Sequence, residues 1–124
     1  MNVYADKEKL LIVLSNLIIN AIKYSPEAGT ITISAYEKEN KIRVEVEDEG
    51  KGLSQEDLDK IFERFYKKES GGFGLGLVIA KAYVEIHMGH IGAETREKGA
   101  LFYFEIPQNI SMPKNYEKEN FSIR

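Results

Sequence analysis

Leu10 to Ile22 is an almost wholly apolar run into which two amides, Asn16 and Asn20, are set, with Lys23 and Tyr24 following directly. At about 100° per residue, Asn20 lies roughly 40° and Lys23 roughly 20° from Asn16, while Leu10, Leu14, Leu17, Ile18 and Ala21 fill the opposite side. The pattern predicts a helix capped by Asp6 and running to about Tyr24, where Ser25, Pro26 and Gly29 stop it. Residues 30–36 then alternate, with Ile31, Ile33 and Ala35 on one side. A polar turn at Lys38, Glu39 and Asn40 leads into a second strand over 41–49, so the two form a hairpin. In that strand Ile42, Val44, Val46 and Asp48 share one face and Arg43, Glu45, Glu47 and Glu49 the other, so a carboxylate continues the buried row. Ser54 caps a short helix over 55–60, and Ile61, Phe62, Phe65 and Tyr66 form an aromatic cluster after it. Residues 67–72 read as a mobile loop. A helix is expected over 74–87, with Leu75, Val78, Ile79, Ala82 and Ile86 inward and Gly89 ending it. Residues 91–96 and 101–106 read as a second hairpin around Lys98 and Gly99. From Gln108 the chain is polar apart from Tyr116 and Phe121, and is expected to fray.

This pattern implies an α/β two-layer sandwich: a mixed sheet of about five strands with three helices on one face. At 124 residues the chain fits a single domain, expected over 1–107 with a polar tail over 108–124. No apolar stretch reaches the roughly 18 residues a membrane helix needs, and the first residues carry no secretory signal, so no direct membrane contact and a cytoplasmic setting are expected. Zero cysteines exclude disulfides and thiolate metal sites. A formal net charge of -3, with lysines and glutamates alternating and no basic face accumulating, argues against nucleic acid as a partner. An isolated chain of this kind is expected to be a monomer.

The chemistry lies in three places. An amide buried without a partner costs roughly 1 to 3 kcal/mol, so a helix with two of them on one line is expected to hold something. Two amide oxygens, two amide donors and an ammonium suit a hard cation plus phosphate, because amide oxygens ligate Mg²⁺ and lysine neutralises phosphoryl oxygens. Asp48-Glu49-Gly50-Lys51-Gly52 puts a carboxylate at the inner end of a strand with two glycines behind it. That arrangement suits a flat ligand bearing an exocyclic amine, and read alone it is equally a turn with an aspartate in it. Gly71-Gly72-Phe73-Gly74-Leu75-Gly76-Leu77 opens a helix, where free N–H groups make an anion site. It is neither a Walker loop nor a dinucleotide fingerprint, and alone it is a weak phosphate signal.

Together the blocks are far more specific. Asn16-x-x-x-Asn20-Ala21-x-Lys23-Tyr24-Ser25-Pro26, Asp48-x-Gly50-x-Gly52, Phe62-x-x-Phe65-Tyr66 and Gly72-x-Gly74-Leu75-Gly76-Leu77 resemble the N, G1, F and G2 boxes of the catalytic ATP-binding domain of sensor histidine kinases. The similarity extends to Pro107. It implies the Bergerat ATP-binding fold, with ATP and Mg²⁺ bound between helix and sheet. By the same resemblance Asn20 is the metal ligand, and Asn16 helps to set the ion and the phosphates. Lys23 contacts phosphate oxygens, Tyr24 packs on the nucleotide, and Asp48 reads the adenine amine. Gly50 and Gly52 floor the base pocket. Gly72, Gly74 and Gly76, with Leu75 and Leu77 between and after them, flank the phosphates beneath a lid over about 67–71, where Lys67 is a candidate for the γ-phosphate.

Related hydrolases (type II topoisomerases, a mismatch repair ATPase and an ATP-driven chaperone) carry a water-activating glutamate four residues before the metal asparagine. Here Asn16 stands there and cannot act as a base, which fits a kinase whose nucleophile is an imidazole. Two departures stand out: the 65–72 lid is short, and Leu101 occupies a place where Thr or Ser is common near the adenine carboxylate. The implied partners are a helical dimerisation and phosphoacceptor domain, absent here, and a response regulator. A chain starting a few residues before its first helix is expected to be a fragment, inactive alone. The rival readings are a non-catalytic nucleotide-sensing or docking module and a serine kinase of the anti-sigma-factor type. Phe62, Phe65 and Tyr66 read as packing residues, His87 and His90 as structural, and Lys9 as surface.

Overall fold

A computed structural model of the chain describes residues 2–25, 29–63, 75–108 and 119–122. The elements are β1 (Asn2–Ala5), α1 (Lys7–Tyr24), β2 (Thr32–Lys38), β3 (Lys41–Glu47), α2 (Gln55–Lys60), α3 (Gly76–Ile86), β4 (His90–Thr95), β5 (Ala100–Pro107) and β6 (Glu119–Ser122). Helix α1 has the expected bounds because both ends carry stop signals. The Asp6 side chain accepts a hydrogen bond from Lys9 N–H at its start, and the Ser25 N–H closes on the Ala21 carbonyl at its end. Helix α2 begins in a capping box, in which the Ser54 hydroxyl and the Asp57 carboxylate each accept the other residue's backbone N–H.

The α/β layering is as expected, but the sheet differs in detail. Four strands in the order β2-β3-β5-β4 form the main sheet, every pair antiparallel, where a mixed sheet of about five was expected. The remaining strands, β1 and β6, pair with each other in a separate antiparallel ladder, Val3 opposite Phe121. The stretch expected to fray therefore contributes a strand, and that strand pairs with the first residues of the chain. Val3 and Ala5 of β1 are fully buried. The β2–β3 connection is a two-residue loop with Glu39 and Asn40 both at positive φ, the geometry that matches the twist of the flanking strands.

Helices α1 and α3 pack against one another and against one face of the sheet. The core between them holds Val13, Leu17 and Ala21 from α1, Leu77, Ala80 and Val84 from α3, and Ile42, Val44, Val46, Phe102, Phe104 and Ile106 from the sheet. Fully burying each of the larger aliphatic or aromatic side chains among these contributes about 1.5 to 3 kcal/mol. The apolar run of α1 is only partly spent on this core. Leu11, Ile12, Ile19 and Ile22 are exposed, on the side of the helix away from Leu17 and Ala21. No described helix is long and apolar enough to cross a membrane.

The other face of the sheet is charged and tightly paired. Arg43 lies over the Tyr103 ring at 3.8 Å and bonds Glu45 at 2.7 Å and Glu105 at 3.1 Å, which explains why an arginine on the solvent side is only 8 % exposed.

Candidate functional site

The two helices bring the first and last chemical blocks together. Asn16 is half-buried, and its amide N–H donates to the Gly76 carbonyl at 3.0 Å, joining the middle of α1 to the first residue of α3. Asn20, one turn on, is 6 % exposed as a residue; its side chain makes no hydrogen bond to the described residues, and its amide atoms keep some contact with solvent. Its neighbours along the helix, Leu17 and Ala21, are in the core, so the amide sits at the core's edge. Lys23, nearly in line with Asn16 on the helix, is exposed. The backbone of Tyr24 ends α1, and its side chain lies outside the described residues. Beyond it, the Ser25 hydroxyl is buried without a partner among the described residues.

Helix α3 starts without a side-chain cap. Its N-cap, Leu75, is exposed and makes no capping hydrogen bond, so among the described residues no capping side chain occupies the first-turn N–H groups. Leu77 is wholly buried in the core. Gly72, Gly74, Lys67, Phe65 and Tyr66 lie outside the described residues, and with them the lid expected over 67–71.

Asp48 continues the buried row of β3, as its alternation with Val44 and Val46 requires, and is 3 % exposed. Its Oδ1 accepts from the Gly50 N–H at 2.8 Å and from the Ala100 N–H at 3.2 Å, and its own N–H donates to the Ala100 carbonyl at 3.0 Å. Oδ2 accepts no hydrogen bond from the described residues. The loop behind it needs its second glycine, because Gly52 has φ +80° and a Cβ there would lie 2.6 Å from the Thr95 hydroxyl.

Leu101 is not where the sequence pattern put it. In the β3–β5 register Glu47 faces Leu101, so the residue beside Asp48 on the inner face is Ala100, and Leu101 points to the outer face. There it is 1 % exposed. Arg96 pairs with Glu47 at 3.5 Å and with Glu94 at 3.4 Å, the two cross-strand neighbours that flank Leu101. The expectation that Leu101 removes a contact beside the adenine carboxylate is therefore corrected by a shift of one residue. An open polar cavity of about 620 Å³ lies by the same hairpin, between Thr30, Glu47, Asp48, Glu49, Arg96 and Lys98, and no described α1 side chain lines it.

His87 is buried at 2 % exposure. Its Nε2 accepts the Asp6 N–H at 2.9 Å and its Nδ1 lies 2.7 Å from the Tyr83 carbonyl, so the ring is neutral with its proton on Nδ1 and ties the end of α3 to the start of α1. His90 is exposed beside Tyr103. The Asp6 carboxyl is held below its usual value by the Lys9 side-chain hydrogen bond at 2.9 Å, and Lys9 also lies over the Tyr83 ring. Lys9, expected at the surface, is thus part of the same junction. Among the described residues no group of three or more His, Cys, Asp or Glu side chains could hold a metal ion.

Residues 5–110 match the family model described as histidine kinase-, DNA gyrase B-, and HSP90-like ATPase. Sensor histidine kinase WalK of Bacillus subtilis is 43% identical over 122 residues, and sensor protein KdpD of Clostridium acetobutylicum is 43% identical over 105. The match takes in 91% of this chain but only 20% of WalK, and 79% of this chain but 12% of KdpD, so the chain spans a small part of these relatives. Among solved structures, the catalytic domain of histidine kinase ThkA superposes with a TM-score of 0.79 at 40% identity, covering 86% of this chain and 70% of that one. Full-length ShkA in complex with AMPPNP superposes with a TM-score of 0.76 at 32% identity, covering 88% of this chain and 23% of that one.

Proposed function

Because the chain belongs to the histidine kinase-, DNA gyrase B-, and HSP90-like ATPase family, we propose that it is the catalytic ATP-binding domain of a sensor histidine kinase, moving the γ-phosphoryl group of Mg-ATP to a histidine on a separate helical domain. Asn20 carries the reading. Its side chain makes no hydrogen bond to the described residues and its amide reaches solvent at the core's edge, which leaves the amide oxygen open to a ligand. The donor set fits Mg²⁺, which takes few protein ligands and keeps phosphate oxygens and water for the rest. Asn20 would hold it, with Asn16 beside it; when bound, the ion neutralises charge across the phosphate oxygens.

The chain's own residues do the remainder. Lys23, exposed at the end of the asparagine stripe, reaches phosphate oxygens, and the uncapped start of α3 at Leu75 and Gly76 turns N–H groups toward them. Gly72, Gly74 and Lys67 complete the phosphate end, Leu77 anchors α3 beneath it, and Tyr24 packs on the nucleotide. Asp48 offers its Oδ2 to the adenine amine over a floor made by Gly50 and Gly52. No carboxylate stands at Asn16 to activate water, so the acceptor must bring its own nucleophile. An imidazole nitrogen attacks the γ-phosphorus as the bond to the bridging oxygen of ADP breaks, giving a phosphoramidate and ADP. The partners proposed are that helical phosphoacceptor domain and a response regulator; ThkA has been crystallised with its response regulator TrrA. We place the reaction in the cytoplasm, where ATP is available.

The test is to mix the domain with a helical hairpin bearing the phosphoacceptor histidine and γ-labelled ATP. Acid-labile, alkali-stable label on the hairpin is expected. Acid-stable label would indicate a serine kinase, and intact ATP binding with no transfer would indicate a nucleotide-sensing module; either result overturns the proposal.

A further inference from the structure

The β4–β5 hairpin turn is fastened to the loop after β3 at several points. Thr95 Oγ1 accepts the Leu53 N–H at 3.3 Å, and Lys98 pairs with Glu49 at 3.2 Å. Inside these contacts lie two that touch the carboxylate itself. Ala100 N–H donates to Asp48 Oδ1 from a position that is 2 % exposed, and Gly99 lies directly against Asp48. Gly99 has φ +87°, and a Cβ there would collide with the Asp48 carbonyl oxygen and lie 2.9 Å from Oδ1.

We propose that Gly99 and Ala100 are positioning residues for nucleobase selection: the missing side chain at Gly99 lets the turn close on Asp48, and the Ala100 N–H pins Oδ1 so that Oδ2 is presented to the exocyclic amine of adenine. This rests on the reading of Asp48 as the adenine contact. The physical reason is geometric. A carboxylate with one donor on Oδ1 still swings about χ2, a broad torsion at this terminus. Donors from Gly50 on one side and Ala100 on the other, 2.8 and 3.2 Å away, hold the group in one plane. A guanine carbonyl at the same place meets an acceptor that cannot turn aside, so fixing the rotamer adds to discrimination as well as to affinity.

The test measures ATP and GTP affinities by calorimetry for the wild type, Ala100→Pro, Gly99→Ala and Asp48→Asn, and for Ala100→Pro combined with Asp48→Asn. Proline at 100 removes the N–H but also fixes φ and sets its ring where the N–H pointed, while the Ala100 carbonyl that accepts from Asp48 stays, so an ester at this bond is the cleaner removal of the donor. Melting curves establish that each variant folds. Should the proline or the Gly99 variant fail to fold, replacing Ala100 with lactate, which turns the Gly99–Ala100 amide into an ester, removes the donor without changing shape.

The ATP-to-GTP affinity ratio is expected to fall about tenfold, 1.4 kcal/mol, when the Ala100 donor is lost, and to change no further when that loss is added to Asp48→Asn. A looser hairpin alone would weaken both nucleotides together and leave the ratio intact. That result, with Asp48→Asn still losing its adenine preference, overturns the positioning role and leaves the reading of Asp48 standing. A ratio untouched by Asp48→Asn itself overturns the adenine reading, and this inference with it.

Discussion

Replacing Asn20 by leucine should make the domain more stable and useless to its ligand at once. Asn20 is 6 % exposed beside Leu17 and Ala21, its side chain makes no hydrogen bond to the described residues, and its amide meets water only at the core's edge, so in the unliganded chain it is partly desolvated with no protein bond in return. An unpaired buried amide costs about 1 to 3 kcal/mol, and the sliver of remaining exposure places Asn20 in the lower half, about 1 to 2 kcal/mol. Leucine has nearly the same volume and fits the helix at least as well. For a chain of this size each kcal/mol moves the melting temperature by about 3 to 5 °C, so Asn20→Leu should melt about 3 to 10 °C above the wild type without nucleotide. With Mg²⁺ and ATP the order should reverse its meaning. Ligand at about 100 times its dissociation constant adds about 2.7 kcal/mol to the wild type and nothing to the variant. Differential scanning calorimetry with and without Mg-ATP reads both effects in one experiment. A variant that melts below the wild type when empty, or one that gains the full ligand increment, would refute the reasoning that Asn20 is kept for a ligand at the expense of stability.

Three further outcomes follow from the geometry. His87→Phe keeps the bulk but leaves the Asp6 N–H without its acceptor, so it should lower stability by about 1 to 3 kcal/mol in urea unfolding while ATP affinity stays within twofold. Because the Asp6 carboxyl titrates below its ordinary value when folded, the stability it contributes is fully present above the unfolded value near ~3.9 and is lost as pH falls through the lower folded value. Asp6→Asn keeps the helix cap but loses the charged pair with Lys9, so it should lower stability modestly at pH 7 and flatten the acid limb of the stability curve below about pH 4, where the two proteins converge; a limb as steep as the wild type's would contradict the assignment. Leu101→Thr should lower the melting temperature, since it removes buried apolar volume and buries a hydroxyl on the outer face, and should leave the ATP-to-GTP ratio unchanged; a gain in ATP affinity would restore Leu101 to the adenine site.

Much of this was legible in the chain because the signals are local. Asp6 and Ser25 fix the ends of α1, Ser54 fixes the start of α2, and the alternation of Ile42, Val44, Val46 and Asp48 delivers a buried carboxylate at the end of a strand. The inward face of α3 differs from the expected one: Leu75, Val78, Ile79, Ala82 and Ile86 were expected inward, whereas Leu77, Ala80 and Val84 are buried and Leu75, Ile79 and Ala82 are exposed, because a helix apolar on several sides does not say which side meets the core. The other parts that were not legible depend on contacts far apart in sequence. Nothing near Asn2 or Glu119 announces that β1 and β6 pair across more than a hundred residues, and a short polar tail carries no periodicity of its own. The face of Leu101 turned on a one-residue register that only the β3–β5 pairing defines, and the same pairing supplies the Ala100 donor to Asp48. The core side of α1 was legible in Leu10, Leu14, Leu17, Ile18 and Ala21, but the rest of its apolar run carried no sign of its place: Leu11, Ile12, Ile19 and Ile22 stay outside because only one face of the helix meets α3 and the sheet. His87 read as structural from its place by the Gly89 helix stop, and its buried bonds to Asp6 and Tyr83 agree; which partners it held was not written in the sequence.

The most direct test is a crystal structure of the domain with Mg²⁺ and a non-hydrolysable ATP analogue. The nucleotide should lie between α1 and the sheet, with its adenine amine on Asp48 Oδ2, the metal on the Asn20 side-chain oxygen and the phosphates at the start of α3. A nucleotide seated on another surface, or a metal bound without Asn20, would contradict the assignment of α1 as the face that holds Mg-ATP.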